Sequence, residues 1–392
     1  MDSDRQHAIS FLHYIQQNTY ESLGISPKWH SSDHSALQET FLKRYYDSLV
    51  KGRSDLTFDE FRHRFIKKNV VLNDESIGLF QHPGWHSLLR EMCSEIEKVI
   101  KDKNISLAQS PLFGTLPTGR VNGIVISVPQ SKYFIILIEE GLFGFANLAS
   151  KAITRAFPLK KSDKEGYATF STEDADWMEE IDSNPDRAEK FAELLFAYLI
   201  GGDPHRSTPY LPEPQYDNLA SAMRSAMELF VVGHEYGHIV SGHLSGGDTK
   251  KTLVGTEETD EVLPSWQQEF EADVRGLDFM LTAMMQRGYD ISLSFWGASF
   301  FFSCIEIIER ALSILRTGNH TQRVSETHPP SKMRRELLHE VLRQSIPEEH
   351  SSGAIQLSEV VDSVLNQYWI ACEPILLSAY KEGIELAPAW QV

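Results

Sequence analysis

Asp217–Leu244 reads DNLASAMRSAMELFVVGHEYGHIVSGHL, and its apolar residues recur at the three- and four-residue spacing of a helix with an inward face. Asp217 or Asn218 stands where a cap would open it. Inside the helix lies His234-Glu235-Tyr236-Gly237-His238. Side chains four apart on a helix stack one above the other, so both imidazoles can reach a single ion. Glu235 projects to the side of that pair, where its carboxylate can take the proton of a water on the ion. Zinc suits paired imidazoles and lowers the pKa of such a water towards ~7. The expectation is one Zn2+ per chain, on His234 and His238, with Glu235 as general base. Gly233 and Gly237 lie four apart in the same helix, and each costs about 1 kcal/mol against alanine. Such a row implies close approach of another backbone or of a substrate.

The third ligand decides the class of site. An HExxHxxGxxH continuation would need glycine and histidine where this chain has Ser241 and Leu244. Gly242 and His243 are each one residue off, so His243 is not expected on the metal. The segment WQQEFEADVRG at 266–276 offers Glu269 and Asp273, four apart on a second helix. Glu269 is expected to bind the metal, and Asp273 to accept the outer N–H of a ligand histidine and fix its tautomer. Glu271 is expected to point elsewhere. The acidic run Glu257, Glu258, Asp260 and Glu261 reads as a solvated loop.

Around this centre the chain is acidic, with 55 Asp and Glu against 37 Lys and Arg and a formal charge of -18. Such a surface argues against nucleic acid as the main partner. The three cysteines, Cys93, Cys304 and Cys372, form no CxxC pair, which points to a reducing compartment and a cytoplasmic location. The N-terminal stretch MDSDRQHAISFLHYIQQ lacks the apolar core of a signal peptide. Ile291–Ile305, ISLSFWGASFFFSCI, falls short of the roughly 20 apolar residues of a membrane span and is expected as a buried core helix. Residues 1 to about 105 carry helical periodicity, with separators at Gly24–Pro27, Lys51–Asp55 and His82-Pro83-Gly84. His82 and His86 are read as part of a turn, because Pro83 and Gly84 oppose a helix. Val121–Val128 and Tyr133–Ile138 are expected as strands, and the charged residues 158–187 as a surface insertion.

HExxH followed by Glu269-Phe-Glu-Ala-Asp273 resembles the gluzincin metallopeptidases, in particular the group of CAAX prenyl proteases and bacterial membrane stress proteases. His243 falls where that group often continues HExxHxxxxH. Val121-Asn122-Gly123 with Gly141-Leu142 resembles its strand motif, and Thr327-His328-Pro329 with Arg334 or Arg335 resembles its THP…R segment. The resemblance covers about residues 111–340. Soluble peptidases of phage-exclusion systems share a similar core. The resemblance implies a zinc endopeptidase acting on a protein or peptide, with His328 stabilising the oxyanion or capping the ion. It also implies that the 133–138 strand offers an edge to an extended substrate. Tyr236 and Arg275 read as packing and surface pairing, with oxyanion contact as the alternative.

The expected fold is α+β and mostly helical. An N-terminal helical domain (1–105) precedes a metallopeptidase core (106–345) with a small sheet, two ligand helices and an insertion at about 155–215. A C-terminal helical extension (346–392) packs on that core. Two other functions compete: a regulatory or binding protein with a non-catalytic zinc site, and a non-peptidase zinc amidohydrolase.

Overall fold

A computed structural model describes residues 3–27, 43, 46–47, 57–69, 78–161, 168–210, 212–244, 249–254, 257–262, 265–320 and 328–390. The fold is α+β and mostly helical. In chain order the elements are α1 (Ser3–Ser22), α2 (Phe58–Asn69), α3 (Pro83–Asp102), β1 (Leu112–Leu116), β2 (Gly123–Ser127) and β3 (Phe134–Glu139). There follow α4 (Gly141–Thr154), β4 (Leu159–Lys161), β5 (Ala168–Phe170), α5 (Asp174–Ser183), α6 (Asp186–Leu199) and α7 (Asp217–Val240). The last are β6 (Thr249–Val254), β7 (Glu257–Val262), α8 (Trp266–Gln286), α9 (Ile291–Thr317), α10 (Ser331–Ser345) and α11 (Glu348–Lys381).

These elements form two compact units, and the division does not fall at 105 and 345. Residues 1–117, 123–140 and 244–263 make the first unit; 118–122, 141–243 and 264–392 make the second. Sequence reading cut the chain linearly, whereas long-range pairing groups the sheet and a late hairpin with the N-terminal helices.

In the first unit β3 lies between β1 and β2, parallel to β1 and antiparallel to β2. Its run FIILIE is apolar on both faces because the strand is central and buried. Ile135 and Leu137 pack with Leu12 and Ile15 of α1. Gln16 of α1 donates to the Thr115 carbonyl and to Gln81, which in turn accepts from the Thr115 amide, so the polar groups under the helix are paired. Because both edges of β3 are hydrogen-bonded within the sheet, the expected free edge at 133–138 does not exist. Sheet order depends on partners distant in sequence, which periodicity does not reveal.

Two local readings also change. The HPGWH stretch is the first turn of α3: proline needs no amide partner there, and the His82 ring accepts from the amides of Gly84 and Trp85. His82 is thus a helix cap, and His86 is buried against Phe113. The acidic run 257–262 is strand β7, paired antiparallel with β6, where a loop was expected. The Lys51–Asp55 separator lies outside the described residues.

The second unit is built on α7, flanked by α8, α9 and α4. The segment 291–305 is indeed part of a buried helix, α9, which Asp290 caps and which ends at Gly318 with φ 69°. It is the one described helix long and apolar enough to cross a membrane, but most of its apolar stretch is covered by protein. Parts of the stretch 155–215 are packed into the core. Phe191, Leu194 and Leu195 of α6 are core residues, and Trp177 is buried. Arg155 pairs with Asp186 and Glu213, and Arg187 with Glu180 and Glu213. Charge composition suggested a solvated flap, but paired arginines allow charged segments to be packed. The C-terminal helix α11 packs on α9, and its Tyr368 hydroxyl donates to the Ala152 carbonyl of α4.

Where α9, α10 and α11 meet, His339 Nε2 stands 2.9 Å from Ser358 Oγ and 3.4 Å from Ser299 Oγ. Burial, then the charges of Arg335 and Arg343, push its pKa down to about 4. An unfolded histidine titrates near 6.5, so between about pH 6.5 and 4 only the unfolded chain takes the proton. This contribution is complete above pH 6.5 and fades as pH falls towards 4, by roughly 3 kcal/mol. Urea unfolding at pH 7.5 and 4.5 should show a smaller acid loss in H339Q than in the wild type; equal losses would contradict it.

Candidate metal centre

Helices α7 and α8 meet backbone to backbone. A Cβ on Gly276 would lie 2.8 Å from the His234 amide nitrogen, and one on Gly237 would lie 2.9 Å from the Ala272 carbonyl oxygen. The glycine row therefore admits a neighbouring main chain, as one of the two readings required, and that main chain carries Glu269. A capping box of Ser265 and Gln268 opens α8 one turn before that residue.

This crossing brings His234, His238 and Glu269 together. The two Nε2 atoms are 3.0 Å apart; Glu269 Oε2 lies 3.7 Å from His234 Nε2, and Oε1 lies 3.5 Å from His238 Nε2. Ligands of a tetrahedral ion at ~2.0–2.1 Å stand about 3.3 Å from one another, and the observed triangle has that size. Glu269 Oε2 is buried yet accepts no hydrogen bond. Its charge is met by the Arg334 guanidinium, 3.4 Å away and outside hydrogen-bond geometry, which leaves room for a second cation among the three donors. The group can hold a metal ion. His234 is the most accessible of the three, with 12% of its side chain exposed.

Asp273, fully buried, stands 3.0 Å from His234 Nδ1, the outer-nitrogen contact expected of it. Arg334 of α10 clasps Asp273 with Nε and Nη2 and places Nη2 3.4 Å from Glu269 Oε2. Its guanidinium lies 4.7 Å over the Phe302 ring. Burial would raise the Asp273 pKa, but Arg334 and His234 outweigh it and hold the carboxyl ionised. Burial would likewise lower the His234 pKa, but the Asp273 bond and the charges of Asp273 and Glu269 carry it upward. His238 goes the other way: burial, then the charges of His234, His243, Arg334 and His328, drive its pKa far down. His238 is therefore neutral, with a lone pair to give.

Glu235 is buried, one residue beyond His234 on α7, and its charge is felt by Arg334. His328 Nε2 is 4.0 Å from Glu269 Oε1 on a half-exposed side chain; Thr327 lies outside the described residues. Tyr236 is fully buried and acts in packing.

Arg334, His243 and Glu271 are named in the sequence reading, but their supporting roles are not assigned there. Between the adjacent Arg334 and Arg335, only distances could choose. Arg334 serves the centre, while Arg335 pairs with Glu306 and Asp362. His243 was set aside as a ligand, yet its Nδ1 lies 3.0 Å from His238 Nδ1, and its Nε2 lies 3.3 Å from Glu271 Oε2. Glu271 stays out of the His234, His238 and Glu269 group, as expected, and meets His243. The signal was available: glycine at 242, four residues after His238, is a helix-ending residue that folds the next side chain back.

Comparison with protein-family models, with curated proteins and with solved structures finds no match.

Proposed function

We propose that this chain is a zinc-dependent endopeptidase that cleaves a protein in its own compartment. One observation carries the reading: two imidazoles and a buried carboxylate with one oxygen free of hydrogen bonds come together, with a further buried carboxylate, Glu235, next to His234 in sequence. Two nitrogens and one oxygen at this spacing suit zinc, with the fourth position left for a reactant.

Zinc would supply Lewis acidity towards a water and a substrate carbonyl. The rest falls to the chain. Glu235 takes the proton of the attacking water and returns it to the leaving amine. His328 faces the growing charge on the carbonyl oxygen. Asp273, held by Arg334, keeps the His234 ring in one orientation and one tautomer. A purely structural site gains nothing from a base beside its ligands, which weighs against a regulatory protein with inert zinc. The loss of a free edge on β3 removes one anticipated docking element for an extended peptide, so a zinc amidohydrolase acting on a compact amide is the second reading. Three buried, unbridged cysteines suit a reducing interior such as the cytoplasm.

Metal analysis and terminus mapping test the proposal together. The purified chain should hold about one zinc per molecule, and incubation with native lysate should create new protein termini that vanish with chelator. Zinc without new termini, but with hydrolysis of small amides, would favour the amidohydrolase. Absence of zinc would end both readings.

A further inference from the structure

Helix α7 closes with two reversed hydrogen bonds. The Gly242 amide donates to the Ile239 carbonyl and the His243 amide to the His238 carbonyl, with Gly242 at φ 72°. In this helix-ending motif the residue after the glycine falls back on the last turn, usually through an apolar contact. Here the contact is between two imidazoles. The His243 ring is buried and meets His238 Nδ1 through its own Nδ1, at 3.0 Å. It therefore stands behind His238, on the side away from the ion.

We propose that His243 and Glu271 are positioning residues that hold His238 as an Nε2 ligand, through a relay running from Glu271 through His243 to His238. The proposal rests on the metal-centre reading above. Hydrogen counting supports it. A neutral imidazole carries one ring hydrogen. His238 must keep its Nε2 lone pair for the ion, so its hydrogen is on Nδ1 and is donated to His243 Nδ1. His243 then carries its hydrogen on Nε2, which faces Glu271 Oε2 at 3.3 Å. This assignment satisfies both contacts of the chain from His238 to Glu271 and leaves the facing Nε2 lone pairs of His234 and His238, 3.0 Å apart, for the ion. The other ligand histidine has its own support in Asp273 and Arg334, so each imidazole would be backed by a carboxylate, directly for His234 and through a second ring for His238. Outer partners of this kind orient the ring and strengthen its lone pair.

Cobalt affinity tests the relay apart from catalysis. Co2+ is titrated into the full chain against a chromophoric chelator, and its visible spectrum is recorded. H243F, which fills the space without an acceptor, should weaken Co2+ binding about 10–100-fold and shift the visible band. H243N, which keeps an acceptor near the place of Nδ1, should stay within a few-fold of the wild type. E271Q should lie between them, because Glu271 is half-exposed. Melting of the metal-free proteins shows which variants fold; if H243F does not, H243A replaces it in the comparison. Wild-type affinity in both H243F and E271Q, or H243N as weak as H243F, would overturn the relay. A wild-type chain that takes up no Co2+ would instead sink the metal-centre reading itself.

Discussion

E235Q is expected to retain its metal and lose about 10³-fold or more in turnover. Glutamine matches glutamate in shape but cannot accept a proton at neutral pH. The group that could hold the ion is His234, His238 and Glu269, none of which changes. Affinity for zinc and the unfolding midpoint of the loaded protein should therefore stay close to wild type. The loss should appear in kcat, because a base acts in the transition state and not in ground-state binding. Metal content measured beside single-turnover rates separates the two possibilities. Undiminished turnover would remove Glu235 from the chemistry, whereas an empty site would make it a structural residue.

R334M should give the largest change in stability. Arg334 is the standing countercharge for Asp273 and Glu269, both buried. Methionine fills much of the same volume but leaves those carboxylates without it. Breaking one side of a buried pair costs about 3–5 kcal/mol. Zinc should recover part of the loss, because the ion then supplies the missing positive charge and binds only the folded chain. The stabilisation on adding zinc should thus be larger in R334M than in the wild type. R334K should fall between, since an ammonium cannot grip a carboxylate with two parallel bonds. Denaturant unfolding with and without zinc checks both points. A metal-free R334M as stable as the wild type would contradict this account.

What could be read in advance follows from how local each feature is. His234 with His238, and Glu269 with Asp273, were legible because helical periodicity places residues four apart on one face. Gly233 and Gly237 announced a close neighbour for the same reason, though not which one. The order of the sheet was not legible, since β1 joins β3 in parallel while β2 joins it from the other side. The role of α6 was hidden by the charged stretch before it, whose acids are absorbed by Arg155 and Arg187. His243 stays out of the group that could hold a metal, as its spacing implies, while its contact with His238 depends on the left-handed turn at Gly242, which spacing does not reveal.

The touching main chains at Gly237 and Gly276 have a further consequence. The nearest atoms across this seam are backbone atoms of Ala272, Gly233 and His234, with only the Arg275 Cβ beside them, so the separation of the two helix backbones is set by the glycines. A single methyl group added in that seam would push the two backbones apart and change the spacing of His234, His238 and Glu269 without altering any of those three side chains.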